Sequence, residues 1–103
     1  MKINIDIFSG RINHKITANT LTGDFFADGK RKSSNINNFI ERLLGIVILW
    51  KENMVGPELL DGESYNVTIT DENNETVCFN GKNAFPDNYS DFVSLIKEVI
   101  QND

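Results

Sequence analysis

The stretch 65–80, Tyr65-Asn66-Val67-Thr68-Ile69-Thr70-Asp71-Glu72-Asn73-Asn74-Glu75-Thr76-Val77-Cys78-Phe79-Asn80, decides the fold. Tyr65, Val67 and Ile69 alternate with Asn66, Thr68 and Thr70, and Val77 and Phe79 alternate with Thr76, Cys78 and Asn80. A period of two puts the apolar members of each run on one face of a strand. Asp71 to Asn74 is turn chemistry, so the spacing predicts an antiparallel hairpin with one face on a core and the other toward water.

Toward the N-terminus, Ile3, Ile5 and Ile7 alternate with Lys2, Asn4 and Asp6. Ser9-Gly10 offers a turn, and Ile12, His14, Ile16 and Ala18 then alternate with Asn13, Lys15 and Thr17, which predicts a first hairpin. Thr22-Gly23-Asp24 and Asp28-Gly29 bracket Phe25-Phe26-Ala27, either a short third strand or an irregular edge segment. From Ile36 onward, Phe39, Ile40, Leu43, Leu44, Val47 and Trp50 share one helical face, with Ser34 or Asn35 to cap its start. The periodicity predicts a helix to about Trp50, although the run Ile46 to Trp50 behind Gly45 also reads as a buried strand. Residues 52–63 contain Gly56-Pro57 and Asp61-Gly62 and read as a loop. Asn88 with Asp91 three residues on resembles a capping box, and Phe92, Leu95, Ile96, Val99 and Ile100 mark a second helix. The order is ββ(β)αββα: an α+β domain with a mostly antiparallel sheet of four or five strands and two helices on one face.

With 103 residues, 40% of them hydrophobic, residues 1–103 form a single domain large enough to fold on one core. The longest apolar run has five residues, far below the roughly 20 that a membrane-spanning helix needs. The opening MKINIDIFSG reads as a strand rather than a signal peptide, which makes the cytoplasm the expected location. A lone Cys78 forms no internal disulfide, and one Cys with one His is a poor set for zinc, so no metal or other cofactor is expected. Sequons at Asn66, Asn74 and Asn88 read as chance among 14 Asn.

Charge is distributed unevenly. Residues 1–51 carry eight Lys/Arg and four Asp/Glu, whereas residues 52–103 carry two Lys and eleven acids, so the halves stand at +4 and −9. Asymmetry of this kind bears on partners and association rates, not on fold.

Few residues suggest catalysis. Cys78 and His14 are the one conceivable thiol and base pair, but Cys78 sits mid-strand, where an inert, small apolar role is the usual one. No GxSxG, P-loop, dinucleotide fingerprint or HExxH occurs. Glu58, Asp61 and Glu63 fall in one loop and Asp71, Glu72 and Glu75 in another, neither with EF-hand spacing, so both read as solvated acidic turns. Lys30-Arg31-Lys32, with Arg11, Lys15, Arg42 and the nearby Phe25-Phe26, offers a phosphate-contacting and base-stacking set, yet the chain as a whole is acidic where nucleic-acid-binding domains are usually basic. Trp50, followed by Met54 and Val55, is either the end of the helix's core face or a partly exposed anchor.

Residues 47–96 resemble the C-terminal half of a loose group of small uncharacterised bacterial α+β proteins. The residues that carry the resemblance are Trp50, Leu60-Asp61-Gly62, the hairpin Tyr65 to Phe79, Gly81-Lys82-Asn83-Ala84-Phe85-Pro86-Asp87-Asn88, and Phe92. The resemblance implies no activity or ligand. Physically, the 81–88 segment reads as a connector in which Gly81 ends the strand, Phe85 plugs the core, Pro86 fixes the bend and Asn88 caps the helix.

Small size, the acidic second half and the lack of a catalytic constellation make the expected function a non-enzymatic protein-binding module. It would be an inhibitor, immunity or anti-defence type protein presenting acids to a basic site on its partner, through Glu58, Asp61, Glu63, Asp71, Glu72, Glu75, Trp50 and Met54. Alternatives are a structural or self-associating protein, a homo-oligomer joined through its oppositely charged halves, and a nucleic-acid-binding module using Lys30, Arg31 and Lys32.

Overall fold

The computed structural model describes residues 1–9, 12–33, 35–56 and 62–101. The alternating runs form β1 (Lys2–Ser9), β2 (Ile12–Asn19), β6 (Glu63–Thr70) and β7 (Thr76–Lys82), and Asp24–Ala27 forms β3. Two further strands, β4 (Lys30–Arg31) and β5 (Asn53–Val55), flank them, and the helices are α1 (Ile36–Val47) and α2 (Tyr89–Gln101). The sheet runs β4-β3-β2-β1-β6-β7-β5. It therefore has seven strands rather than four or five, and it is mixed, because β5 pairs with β7 in parallel while the other pairs are antiparallel.

The extra strands have local and long-range causes. Asp28 and Gly29 both adopt positive φ, 50° and 82°, as a two-residue primed turn requires, and the chain reverses there so that Ala27 pairs with Lys30. β5 lies in the segment expected to be loop and is held to β7 by Asn80 N–H on Glu52 O and Gly56 N–H on Lys82 O.

β1 lies mid-sheet between β2 and β6, with Ile5 opposite both Ile16 and Val67. Ile3, Ile5, Ile16, Val67, Phe25, Leu43, Phe92, Leu95 and Ile96 are almost fully buried, so the inward sheet positions and the apolar stripes of both helices share one core. The opposite sheet face carries Asn4, Asp6, Thr17, Asn66, Thr68, Cys78 and Asn80, in keeping with the alternation. No described helix is long and apolar enough to cross a membrane.

Asn35 caps α1, its side chain accepting from the N–H groups of Asn37 and Asn38 at 3.0 and 3.2 Å. The helix stops at Val47, three residues before Trp50, and the run Ile46 to Trp50 is not a strand. Ile48 and Leu49 turn out to solvent, 76% and 86% exposed, and Trp50 N–H bonds back to Val47 O at 2.9 Å. This turn swings the indole back over the core. The run is apolar on more sides than a helix stripe buries, so periodicity alone overextends the helix.

Candidate docking groove beside Trp50

Leu60 and Asp61 lie outside the described residues, but Trp50, Gly62, Tyr65, Gly81, Asn83, Asn88 and Phe92 meet at one end of the sheet. Gly81 does not end β7, which continues to Lys82; it sits where any Cβ would collide with the Tyr65 ring. Asn83, at φ 55°, donates its N–H to Glu63 O at 2.8 Å and accepts from Glu63 N–H through Oδ1 at 3.0 Å. A Cβ on Gly56 would strike the Asn83 carbonyl, and one on Gly62 would lie 2.5 Å from Asn83 Oδ1, so both glycines allow close approach to Asn83.

Asn88 does not cap α2 with its side chain. Its Oδ1 accepts from Trp50 Nε1 at 2.6 Å, its Nδ2 donates to Ile46 O at 2.8 Å, and only its backbone carbonyl receives the Asp91 and Phe92 N–H groups. The indole packs edge-on against Tyr65 and Phe92, with ring centroids 5.2 and 5.0 Å away, and Phe85 lies 4.5 Å from Tyr89. Burial, reinforced by the charge of Glu63 and by Tyr65, pushes the Tyr89 hydroxyl up to about 12.

Against this aromatic wall lies a groove of about 340 Å³. Leu49, Trp50, Met54, Phe85 and Pro86 supply its apolar lining, and Lys51 and Asp87 its charges. Leu49 and the preceding Ile48 are 86% and 76% exposed, and Val55, on the other face of the edge strand from Met54, is 85% exposed.

The expected site residues separate. Trp50, 7% exposed, is a fixed wall of the groove and not an exposed anchor; its ring is needed to cover Tyr65 and Phe92. Met54, half-buried, lines the groove. Glu63 begins β6 at this end, while Asp71, Glu72 and Glu75 lie beyond the other end, roughly 23 Å away at about 3.3 Å per strand residue. Asp71 also organises its own turn, its Oδ1 accepting from Asn73 and Glu75 N–H at 2.9 Å. Of the expected acids that are described, Glu63 therefore stands apart from Asp71, Glu72 and Glu75, and Glu58 and Asp61 lie outside the described residues. Sequence reasoning missed Leu49, Phe85, Pro86 and Asp87; the segment Ala84-Phe85-Pro86-Asp87 had signalled only a connector.

The basic segment is dispersed as well. Lys30 is exposed, Arg31 bonds Asp24 at 2.8 Å and stacks 4.9 Å over Phe26, and Lys32 is buried with Nζ on Ile100 O at 3.1 Å, near the C-terminal end of α2. Arg42 forms a two-point bridge to Glu98, both contacts 2.9 Å, and Phe25 is core. Arg11 lies outside the described residues. Cys78 and His14 sit on opposite faces of the sheet, with β1 and β6 between their strands. His14 Nδ1 lies 2.8 Å from Asp28 Oδ2, and Cys78 Sγ lies 3.0 Å from Asn66 Oδ1. Among the described residues no three His, Cys, Asp or Glu gather as a metal site would need. Comparison of the chain with known protein families, with characterised proteins and with solved structures finds no match.

Proposed function

We propose that this protein is a non-enzymatic protein-binding module of the inhibitor, immunity or anti-defence kind, and that its partner presents a basic, partly apolar surface to the Trp50 end of the sheet. The observation that carries this reading is the 340 Å³ groove itself, an apolar slot with Asp87 on its wall and exposed Leu49 beside it. Apolar side chains provide the buried contact area of an interface, and charges around them steer approach. Glu52, just before β5, and Glu63 add to Asp87 at this end and outnumber Lys51 and Lys82. The net charge of −5 and the −9 of the second half favour the same sign of partner. The reading differs from the sequence expectation in placing the contact at the groove rather than across both acidic turns.

Selection of displayed random dodecapeptides on the immobilised protein tests it. Enriched sequences are expected to carry positive charge beside apolar residues and to lose binding to a variant with Glu52→Lys, Glu63→Lys and Asp87→Lys together. Enrichment without charge bias, or equal capture by that variant, overturns the proposal.

A further inference from the structure

The groove adjoins a sheet edge. In a parallel pair, one strand bonds its neighbour through alternate residues. Glu52 O and Gly56 N–H both point at β7, so Met54 between them does the same, and Asn53 and Val55 direct their N–H and C=O groups to the opposite side. β5 is the last strand of the sheet, and no described residue pairs with that side. Native edges are commonly guarded by charge or proline, yet Val55 on this one is apolar and 85% exposed. Met54 shares its face with Gly81 and Tyr65 and lines the groove, while Asn53 and Val55 lie on the other face.

We propose that the partner enters as an additional β-strand on the outer edge of β5: an extended segment whose apolar side chain fills the groove beside Met54, whose flanking residues cover Val55, and whose cation, two residues along on the groove face, meets Asp87. This rests on the protein-binding reading above and specifies its mode. Main-chain hydrogen bonds to Asn53 and Val55 supply sequence-independent affinity, and the groove and Asp87 supply selectivity. At this end Glu52, Glu63 and Asp87 outnumber Lys51 and Lys82, so a basic segment of a different protein meets more opposite charge here than a second copy of this edge does.

The probe is the peptide acetyl-Thr-Arg-Val-Leu-Val-Arg-Thr-amide, titrated into the ¹⁵N-labelled full chain. Shifts are expected at Asn53, Val55 and the Trp50 indole. Two N-methylated forms, one blocked at both Val amides and one at the Leu amide, cover both strand directions, and one of them should bind at least tenfold more weakly. Val55→Pro removes an outward N–H without touching the β5–β7 bonds, so it should weaken binding similarly at an unchanged melting temperature. Undiminished binding of both N-methylated forms, with shifts at the groove, overturns strand addition and leaves the protein-binding reading standing. No shift at β5 or the groove also overturns it, and the display selection decides the wider reading separately. Concentration-dependent dimerisation that shifts β5 without peptide overturns it in favour of a second copy.

Discussion

Trp50 Nε1 donates to Asn88 Oδ1 at 2.6 Å across 38 residues of chain, and the other end of the same amide donates to Ile46 O at 2.8 Å. One side chain thus joins the end of α1, the wall of the groove and the start of α2. It satisfies the indole N–H at a nearly buried ring, where an unmet donor is costly.

Asn88→Ala is therefore expected to lower stability by about 1–3 kcal/mol, because it leaves both the indole N–H and the Ile46 carbonyl without this partner. Asn88→Asp keeps the acceptor for Trp50 but sets a carboxylate against the Ile46 oxygen, and should also destabilise. Urea unfolding followed by Trp50 fluorescence measures both, and a midpoint for Asn88→Ala equal to wild type would deny the tie.

How much of this was legible depended on the range of the interactions involved. The four long strands were readable because a sheet with one wet face writes its burial into alternate residues, as in Ile3, Ile5 and Ile7 at 0–8% exposure. The edge strands β4 and β5, of two and three residues, are too short to show a period. β5 is also fixed by partners far along the chain, Asn80 and Lys82. Asn88 looked like a cap because Asp91 follows it at capping distance, but the partner that determined its side chain lies 38 residues earlier. Trp50 and Met54 stood out through their composition as the end of a helix's core face or an exposed anchor, whereas Asp87 and Phe85 gained meaning only when the fold placed them beside the same groove.

Two glycines give opposite expectations for the same substitution. Gly81→Ala drives a methyl into the Tyr65 ring and to 2.7 Å from Ala84 O, where backbone and core both resist movement, so a loss of about 2 kcal/mol or more is expected. Gly45 lies in α1 with nothing within 4 Å of a Cβ, so Gly45→Ala should raise stability by about 0.5–1 kcal/mol. Melting temperatures that move in the same direction would contradict this placement of the two residues.

Tyr89 gives a pH signature. Burial first, then the charges of Glu63 and Tyr65, raises its folded value from 10.0 to about 12. The folded state thus holds the proton more tightly than the unfolded state, and stability is unaffected below pH 10. Between pH 10 and 12 the unfolded chain releases the proton first, so stability falls as pH rises. Tyr89→Phe should flatten that part of the curve while the Tyr65 contribution, also raised by burial, remains. A wild-type melting temperature that is flat from pH 10 to 12 would contradict the burial of this hydroxyl.

The last prediction separates the two acidic groups by distance. At physiological ionic strength the Debye length is about 8 Å, so Glu72 and Glu75, roughly 23 Å along β6 from Glu63, are screened from anything seated at the groove. Asp87 lines the groove, Glu52 follows its Lys51 directly in the chain, and the Glu63 charge acts on Tyr89, which packs against Phe85 of the lining. Glu63→Gln keeps the acceptor that Ser9 uses at 3.1 Å, so a triple variant with Glu52→Gln, Glu63→Gln and Asp87→Asn changes charge with little cost to packing. Leaving Asp71 intact spares the turn that its carboxylate organises, which makes Glu72→Gln with Glu75→Gln the matched control. With the Arg-containing peptide as probe at physiological ionic strength, the triple variant should lose severalfold in association rate and most of the salt dependence, and the control should stay within about twofold of wild type. Equal losses in the two proteins would mean that the acidic second half acts through its total charge, without preference for the Trp50 end.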